Sequence, residues 1–399
     1  MHLPRDVVSI LIKNKKNLKK FVRPDGRILV KLKKALYGLK TAGRDWYEKL
    51  KQTLETFGYK QSEVDPCLFI GENIHIFTYV DDFLCIGSDT EIEKFSQNLT
   101  SVFGKLKEQR GSSISYLGMN IVRDANGNIR VNQKGYIEKL CNEYAIDRVS
   151  KHPASGNIMH KCANSTTVDE DDYLSLVMKI MYVATRTRPD ILFPTVILAS
   201  RCSTHLEVDY NRLIKILKYL YGSMEKGLSY NNKGEIAPRM FVDAGFQTHG
   251  DAKGHTGFVI FPDLLSGGIL FRSKKQSTVS QSSAEAELIA LSEAVTYLVW
   301  VINIYAEFGI FSRPVEVFED NKSTIAMAMD KQVAFKGRSK FIDRKFFSVY
   351  EHIDNGDIKL AYVGTETQIA DYFTKVILGE RFEKIRYSIM GSDWHEEPN

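Results

Sequence analysis

Paired cysteines, a signal sequence and long apolar runs are all missing from this 399-residue chain. Its five cysteines (Cys67, Cys85, Cys141, Cys162 and Cys202) are odd in number and far apart, with no CxxC, so neither a disulfide framework nor a zinc site is indicated. No apolar run approaches the ~20 residues that a membrane span requires. The closest, Tyr297 to Tyr305, covers nine positions. Met1-His2-Leu3-Pro4 opens no apolar stretch of signal-peptide length. The expectation is a soluble intracellular protein, cytoplasmic or nuclear, not secreted and without a membrane partner. HExxH, GxSxG and P-loop patterns are absent too, which leaves zinc-peptidase, serine-hydrolase and Walker-type chemistry without residues to carry them.

What is present can build real cores: 43% hydrophobic, 11% aromatic and 26% charged residues fall within the globular range. At roughly 150 residues per domain the length suggests two to three domains. Net charge is only +5, but residues 1–50 carry 14 Lys and Arg against four acids, leaving the remainder negative. A basic arm on a near-neutral body suits a polyanionic partner, because cations placed on phosphates release condensed counterions. A solvated, lysine-rich surface is the other reading. Lys33, Lys34, Lys40 and Arg44 in this arm are the candidate nucleic-acid contacts.

Residues 1–145 alternate basic helical segments with short β-rich runs. From Ala145 to Asp172 the chain turns polar, as in Ser165-Thr166-Thr167-Val168-Asp169-Glu170, which reads as a linker or long surface loop. Residues 173–230 read as helices, with Leu174, Val177, Met178, Met181 and Tyr182 at helical steps. Beyond Ala237, three strands (around Met240–Val242, Gly257–Phe261 and Gly268–Phe271) precede a long helix opening at Ser282-Ser283. A strand (Val315–Phe318), a short helix (Ser323–Met329), a helix (Phe341–Ile353), a strand (Ile358–Val363) and a last helix from Gln368 complete the pattern. The order βββαβααβα fits an α/β domain on a mixed sheet.

Two acidic constellations stand out. In the first, Ile74–Val80 and Phe83–Gly87 are β-prone runs joined across Asp81-Asp82, a tight hairpin with both carboxylates at its tip. Aspartates are common turn residues, so a purely structural role is open. So is cation binding, since two carboxylates ~4 Å apart repel by about 4 kcal/mol at an effective dielectric near 20. Tyr79, beside them, is a candidate stacking contact, whereas Trp46 and Tyr47, near Leu50 and Leu54, suit core packing better.

Leu36-Tyr37-Gly38-Leu39-Lys40, Arg44-Asp45-Trp46, Val64-Asp65-Pro66-Cys67-Leu68-Phe69, Tyr79-Val80-Asp81-Asp82, Tyr116-Leu117-Gly118-Met119, Asn132-Gln133-Lys134-Gly135 and Thr187-Arg188-Pro189-Asp190 follow in order. Together they resemble the reverse transcriptase of copia-type LTR retrotransposons, across nearly the whole chain. The resemblance implies that Asp81 and Asp82 bind magnesium at a polymerase site and that the Leu117-Gly118 turn supports a DNA primer on an RNA template. A further metal-binding aspartate of that family lies on a strand upstream of the segment that Met1-His2-Leu3-Pro4 matches. The expectation is therefore an N-terminally truncated palm that does not polymerise alone. No protease, integrase or nucleocapsid zinc motif accompanies it.

The second constellation is Asp243, Glu287, Asp320 and Asp371. Asp243 falls on a strand, Asp320 just after one, Asp371 at the start of the last expected helix, and Glu287 in the first turns of the long helix. That helix has an apolar face of Leu288, Leu291, Val295, Leu298, Ile302 and Tyr305. At about 100° per residue, Glu287 lies ~50° from the centre of this face and Glu285 ~110°. A near-buried acid needs a partner and a cation is a good one; Glu285 is expected to be solvated. Ser282-Ser283-Ala284-Glu285-Ala286-Glu287, Asp320-Asn321 and Thr367-Gln368-Ile369-Ala370-Asp371 resemble the ribonuclease H of the same elements. That likeness implies two magnesium ions held by the four acids and cleavage of RNA in an RNA–DNA hybrid. The chain departs from the family at Gly245 and Phe246 and at the phenylalanines of 341–347. The fold expected is α+β and α/β: a palm and thumb remnant over 1–145, a linker and helical connection over 146–235, and a ribonuclease H-like mixed-sheet domain over 236–399. The alternative function is a catalytically inactive or domesticated nucleic-acid-binding remnant.

Overall fold

Alternating burial along short strands builds the first sheet. The computed structural model describes residues 1–391 except 34, 37, 161–168, 234–235, 264, 311–312 and 330–339, and apart from the side chains of 340–344 and 346. Packing separates two units, Met1–Lys107 and Glu108–Asn399. In the first, β1 (His2–Leu3) and β2 (Ile28–Leu29) pair antiparallel around α1 (Arg5–Asn14). After α2 (Ala42–Thr56) come β3 (Lys60–Gln61), β4 (Leu68–Gly71), β5 (Ile74–Tyr79) and β6 (Asp82–Gly87), an antiparallel meander followed by α3 (Asp89–Phe103). Ile74 and Ile76 turn inward with Phe69 of β4, against Leu50 and Leu54 of α2 and Phe95 and Leu99 of α3. The period-two alternation of β5 thus meets the three- and four-residue spacing of two amphipathic helices.

The second unit opens with β7 (Ser113–Tyr116), β8 (Met119–Arg123) and β9 (Ile129–Asn132), then α4 (Lys134–Glu143), α5 (Glu170–Arg186), α6 (Leu192–Ala199) and α7 (Glu207–Tyr221). β10 (Leu228–Tyr230) returns past the helices and adds antiparallel to β9, so residues 113–132 share a sheet with a strand about 100 positions later in the chain. Between α5 and α6, Thr187-Arg188-Pro189-Asp190 is buried. Arg188 grips Asp190 through two hydrogen bonds of 2.9 and 2.7 Å and donates to the Ser223 carbonyl at 2.8 Å. The Tyr219 hydroxyl donates to Asp190 at 2.5 Å, and Thr187 donates to Gln133 at 2.9 Å. The motif around Gln133 and the motif around Arg188 are therefore one contact.

The third region has five strands in the order β13 (Leu270–Lys275), β12 (His255–Phe261), β11 (Arg239–Gly245), β14 (Val315–Glu319), β15 (Ile358–Tyr362). β11, β12 and β13 are antiparallel neighbours; β14 runs parallel to β11, and β15 parallel to β14. α8 (Ser283–Glu307), α9 (Lys322–Met329) and α10 (Lys340–Asp354) lie between β13 and β15 in sequence, and α11 (Gly379–Met390) ends the fold. Leu228–Tyr230 is a strand where helix was expected. The elements expected beyond Ala237 are present with shifted ends, β13 starting at Leu270 and β15 stopping at Tyr362, except the last helix. Residues 369–373 form a tight 3-10 turn, and α11 starts only at Gly379, after positive φ at that glycine. The sheet buries both faces. Met240, Val242 and Val317 meet Leu291, Val295 and Leu298 of α8, while Phe241, Val259 and Phe261 share a core with α5–α7 and α11. α8 is by length and composition apolar enough to cross a membrane, but its apolar face is spent on this sheet.

Removing one partner of a buried ion pair costs about 3–5 kcal/mol because the other charge is stranded. Asp190→Ala should therefore lower the unfolding free energy by about that much, read from the urea midpoint. Glu316→Ala, exposed on β14, should change it by no more than about 0.5 kcal/mol.

Candidate metal centre and nucleic-acid interface

Strand pairing brings the second acidic constellation together. Asp243 is near the end of β11, and Asp320 directly follows β14, the parallel neighbour that matches Phe318 to Phe241. Both carboxylates thus project from the C-terminal ends of adjacent parallel strands. The third comes from across the sheet. Asp243 is paired with Gly257 of β12, and a Cβ at Gly257 would meet Thr374 at 2.6 Å, Phe373 at 2.8 Å and the Ala370 carbonyl at 3.1 Å. The missing side chain lets the 369–373 turn settle on the sheet and bring Asp371 to Asp243. Gln368, fully buried, pins the turn by donating to the Val242 carbonyl at 2.9 Å and accepting from the Ala370 N–H.

Glu287 arrives from α8. Ser282 caps that helix by accepting from the Glu285 N–H at 3.2 Å, and the Glu285 carboxylate accepts from the Gln281 N–H at 2.9 Å. Glu285 is therefore half-buried and hydrogen-bonded to the residue before the Ser282 cap, not a freely solvated acid. Two residues later Glu287 is 6% exposed.

Oxygens of Asp243, Asp320 and Asp371 lie within 4.8 Å of one another, and so do oxygens of Glu287, Glu319 and Asp320. Glu319 is fully buried and is the residue that sequence reasoning missed. The signal was available: in Val315-Glu316-Val317-Phe318-Glu319, period two places Glu319 on the side of Val315 and Val317, and these are the buried positions. Asp371 also differs from expectation, as a fully buried member of the 3-10 turn rather than a helix opener.

Like charges out of water shift proton affinity strongly. Burial first, then Asp371, pushes the Asp243 carboxyl up to about 7, with the Thr374 hydroxyl that donates to it opposing. Glu287 is raised well above the usual range by burial and then by Glu319 and Asp243; Glu319 is raised by burial, opposed by the Asn321 N–H. Asp320, accepting from Thr365, is raised by burial and by Asp371. Asp371 has cationic partners, Lys375 at 2.6 Å and Arg381. The Oε2 atoms of Glu287 and Glu319 have no hydrogen-bond partner. An all-carboxylate donor set with unpartnered buried oxygens fits a hard divalent cation such as magnesium, whose oxygen ligands sit about 2 Å from the ion.

The first constellation is different. Tyr79 pairs with Asp82 across a turn at Val80 and Asp81, and Tyr79, Val80, Asp81 and Asp82 are all exposed. Val80 takes φ +56°, and the Trp46 indole N–H donates to its carbonyl at 2.6 Å while the ring packs on Phe103. Trp46 thus fixes the hairpin tip, and Tyr47 donates to the Pro66 carbonyl at 2.9 Å. Among the described residues, neither Asp81 nor Asp82 joins a group of three potential metal ligands. Lys33, Lys40 and Arg44 are exposed, and Lys34 lies outside the described residues. Leu117 and Gly118 form a two-residue turn between β7 and β8 with φ of 48° and 68°, the positive pair that suits a hairpin. Tyr182 of α5 donates to the Leu117 carbonyl, a clamp that the sequence reading placed only on a helix face.

The profile of the reverse transcriptase (RNA-dependent DNA polymerase) family matches residues 21–152. The chain is 29% identical over 373 residues to the Retrovirus-related Pol polyprotein from transposon TNT 1-94 of Nicotiana tabacum, covering 89% of this chain and 28% of that protein. It is 27% identical to the corresponding polyprotein from transposon RE2 of Arabidopsis thaliana, covering 92% of this chain and 25% of that protein. The chain is thus similar to copia-type Pol polyproteins over most of its own length. It spans about a quarter of the length of these relatives. Among solved structures, it is similar to a foamy viral protease-reverse transcriptase in complex with RNA/DNA hybrid, at 13% identity and TM-score 0.48, over 86% of this chain and 40% of that one. It is also similar to the N-terminal RNase H domain of a Mycobacterium tuberculosis protein, at 12% identity and TM-score 0.27, over 38% of this chain and 96% of that one. At Gly245 an added Cβ would meet the Thr248 hydroxyl at 2.2 Å. Of 341–347, only the side chains of Lys345 and Phe347 are among those described.

The raised carboxyls fix a sign for stability. The folded protein holds protons on Asp243, Glu287 and Glu319 that the unfolded chain has released, so the contribution of these carboxyls to stability falls as pH rises from about 4 through about 7. His249 and His255, held neutral by burial, contribute with the opposite sign. In EDTA, the Tm of Asp243→Asn should gain on that of wild type across that range, since the histidine contribution is common to both. Magnesium, which takes the ionised forms, should raise the wild-type Tm most at the alkaline end; a pH-independent Tm difference with no magnesium effect would contradict the assignment.

Proposed function

We propose that residues 236–399 hydrolyse the RNA strand of an RNA–DNA hybrid with divalent magnesium, as the ribonuclease H part of a Pol polyprotein. The supporting observation is the convergence of Asp243, Glu287, Asp320 and Asp371, from four separate elements, on the ends of β11 and β14. In α/β sheets, ligands collect outside the carboxyl ends of the strands, where loops rather than further pairing follow. Asp243, Asp320 and Asp371 would hold one cation and Glu287 would face a second. When bound, the cations supply an activated water and stabilise the leaving oxygen of the RNA phosphate. The protein's own part is positioning. Thr374 fixes the Asp243 carboxylate, Thr365 fixes Asp320, and Lys375 and Arg381 hold Asp371 while adding positive charge beside the phosphodiester path.

The same reading assigns 1–145 to polymerase-derived sequence and gives nucleic-acid contacts to the exposed Lys33, Lys40, Arg44 and Tyr79 and to the Leu117-Gly118 turn. It assigns no polymerase step to this chain alone, because Asp81 and Asp82 are solvent-exposed and, among the described residues, lack a third ligand. Two-metal phosphoryl transfer needs both ions clamped about the attacking and leaving oxygens.

Purified protein with a 5′-labelled RNA–DNA hybrid should cut in magnesium and stop in EDTA. Asp243→Asn should reduce cutting at least about 100-fold, the upper end of what disturbing the shell around a metal costs. Cutting by Asp243→Asn equal to wild type would falsify the assignment. Hybrid binding without cutting by either protein would favour the inactive-binder reading. In a primer-extension reaction with magnesium and dNTPs, no extension by the chain is expected; magnesium-dependent extension by the pure protein would overturn the account of the hairpin.

A further inference from the structure

Resting on that reading, we propose that Glu319 is a fifth carboxylate of the centre, holding the second divalent cation together with Glu287 and Asp320. The four acids singled out by motif do not include it. Its placement derives from strand parity: Glu319 shares the inward face of β14 with Val315 and Val317 and is fully buried. One oxygen, Oε1, accepts from the Asn321 N–H at 3.0 Å, which sets the carboxylate's orientation, and the other, Oε2, has no partner. Facing it, Glu287 is 6% exposed and its Oε2 is likewise without a partner.

The rest of the cluster is compensated. Asp243 receives the Thr374 hydroxyl, and Asp371 has Lys375 and Arg381. No ion pair among the described residues reaches Glu287, Glu319 or Asp320. Two unpartnered buried carboxylate oxygens at the end of the cluster lacking a basic side chain are the side of the site that calls for a cation. Ligand oxygens from Glu287, Glu319 and Asp320 lie within 4.8 Å of one another, the spread of oxygens around one hard divalent ion. Asp320 belongs to this group and to the Asp243–Asp371 group, so it would help to hold both cations.

Manganese titration of the full chain followed by electron paramagnetic resonance tests this without reference to cleavage. Wild type should bind two Mn2+ per chain and show the broadened signal of a coupled pair. Glu319→Gln keeps the side-chain volume and the acceptor for Asn321. It should retain one Mn2+, lose the coupled signal and weaken the second site at least tenfold, while Glu316→Gln on the outer face should behave as wild type. Two coupled Mn2+ in Glu319→Gln would overturn the proposal, and so would a single Mn2+ in wild type, which leaves standing only the first site, of Asp243, Asp320 and Asp371. No Mn2+ bound by wild type would instead defeat the nuclease reading itself. Should Glu319→Gln fail to fold by circular dichroism, Glu319→Asp keeps the charge but withdraws it by one methylene. The second site should then weaken tenfold or more, and unchanged affinity would overturn the proposal.

Discussion

Carboxylates packed together away from water repel one another and lose their hydration, and the five-stranded sheet β11–β15 is organised around that cost. The parallel pairing of β11 with β14 places Asp243, Glu319 and Asp320 at neighbouring strand ends. Antiparallel pairing of β11 with β12 sets side-chain-free Gly257 beside Asp243, so a tight turn can carry Asp371 in from above. Each of these contacts brings another negative charge closer. The compensation comes as hydroxyls (Thr374, Thr365), backbone N–H groups (Ala244, Asn321) and two cations (Lys375, Arg381). They offset part of the repulsion, and the remaining unpartnered oxygens define where a cation fits.

The two acidic constellations of this chain show how far environment, rather than composition, decides chemistry. Asp81 and Asp82 are adjacent in sequence, yet they sit at an exposed hairpin tip where water solvates both. High dielectric reduces their repulsion to something a turn tolerates. Asp243, Glu287, Glu319, Asp320 and Asp371 are spread over almost 130 positions (243–371), yet they meet in a buried site. Low dielectric and lost hydration there raise several of their proton affinities. The same residue types are a turn signature in one place and a buried carboxylate cluster in the other.

The scaffolding beneath the site is equally specific. Arg188 and Asp190 are buried together, and their hydrogen bonds tie the turn after α5 to Ser223 and Tyr219 at the end of α7. Arg386 of α11 reaches the Tyr219 hydroxyl at 3.1 Å. The helical layer and the last helix, which covers one face of the sheet, are thereby linked through a single polar knot in an apolar core. A satisfied network of this kind specifies one arrangement because any slip would strand a charge.

Periodicity in the sequence determined the element types from β11 to β15 and the inward position of Glu287, and motif order picked out four acids that the fold brings together. These are local properties: a helix face and a strand face repeat at fixed steps whatever surrounds them. Glu319 was missed, although strand parity puts it on the inward face, and only its burial beside Glu287 gave that parity meaning. Tertiary structure alone decided that residues 369–373 form a turn instead of a helix start, because the turn is held by Gln368 on β11 and by room above Gly257. It also decided that Tyr182 clamps the Leu117 turn and that Asp320 stands between two carboxylate groups. Those outcomes depend on distances between segments far apart in the chain, which no local pattern encodes.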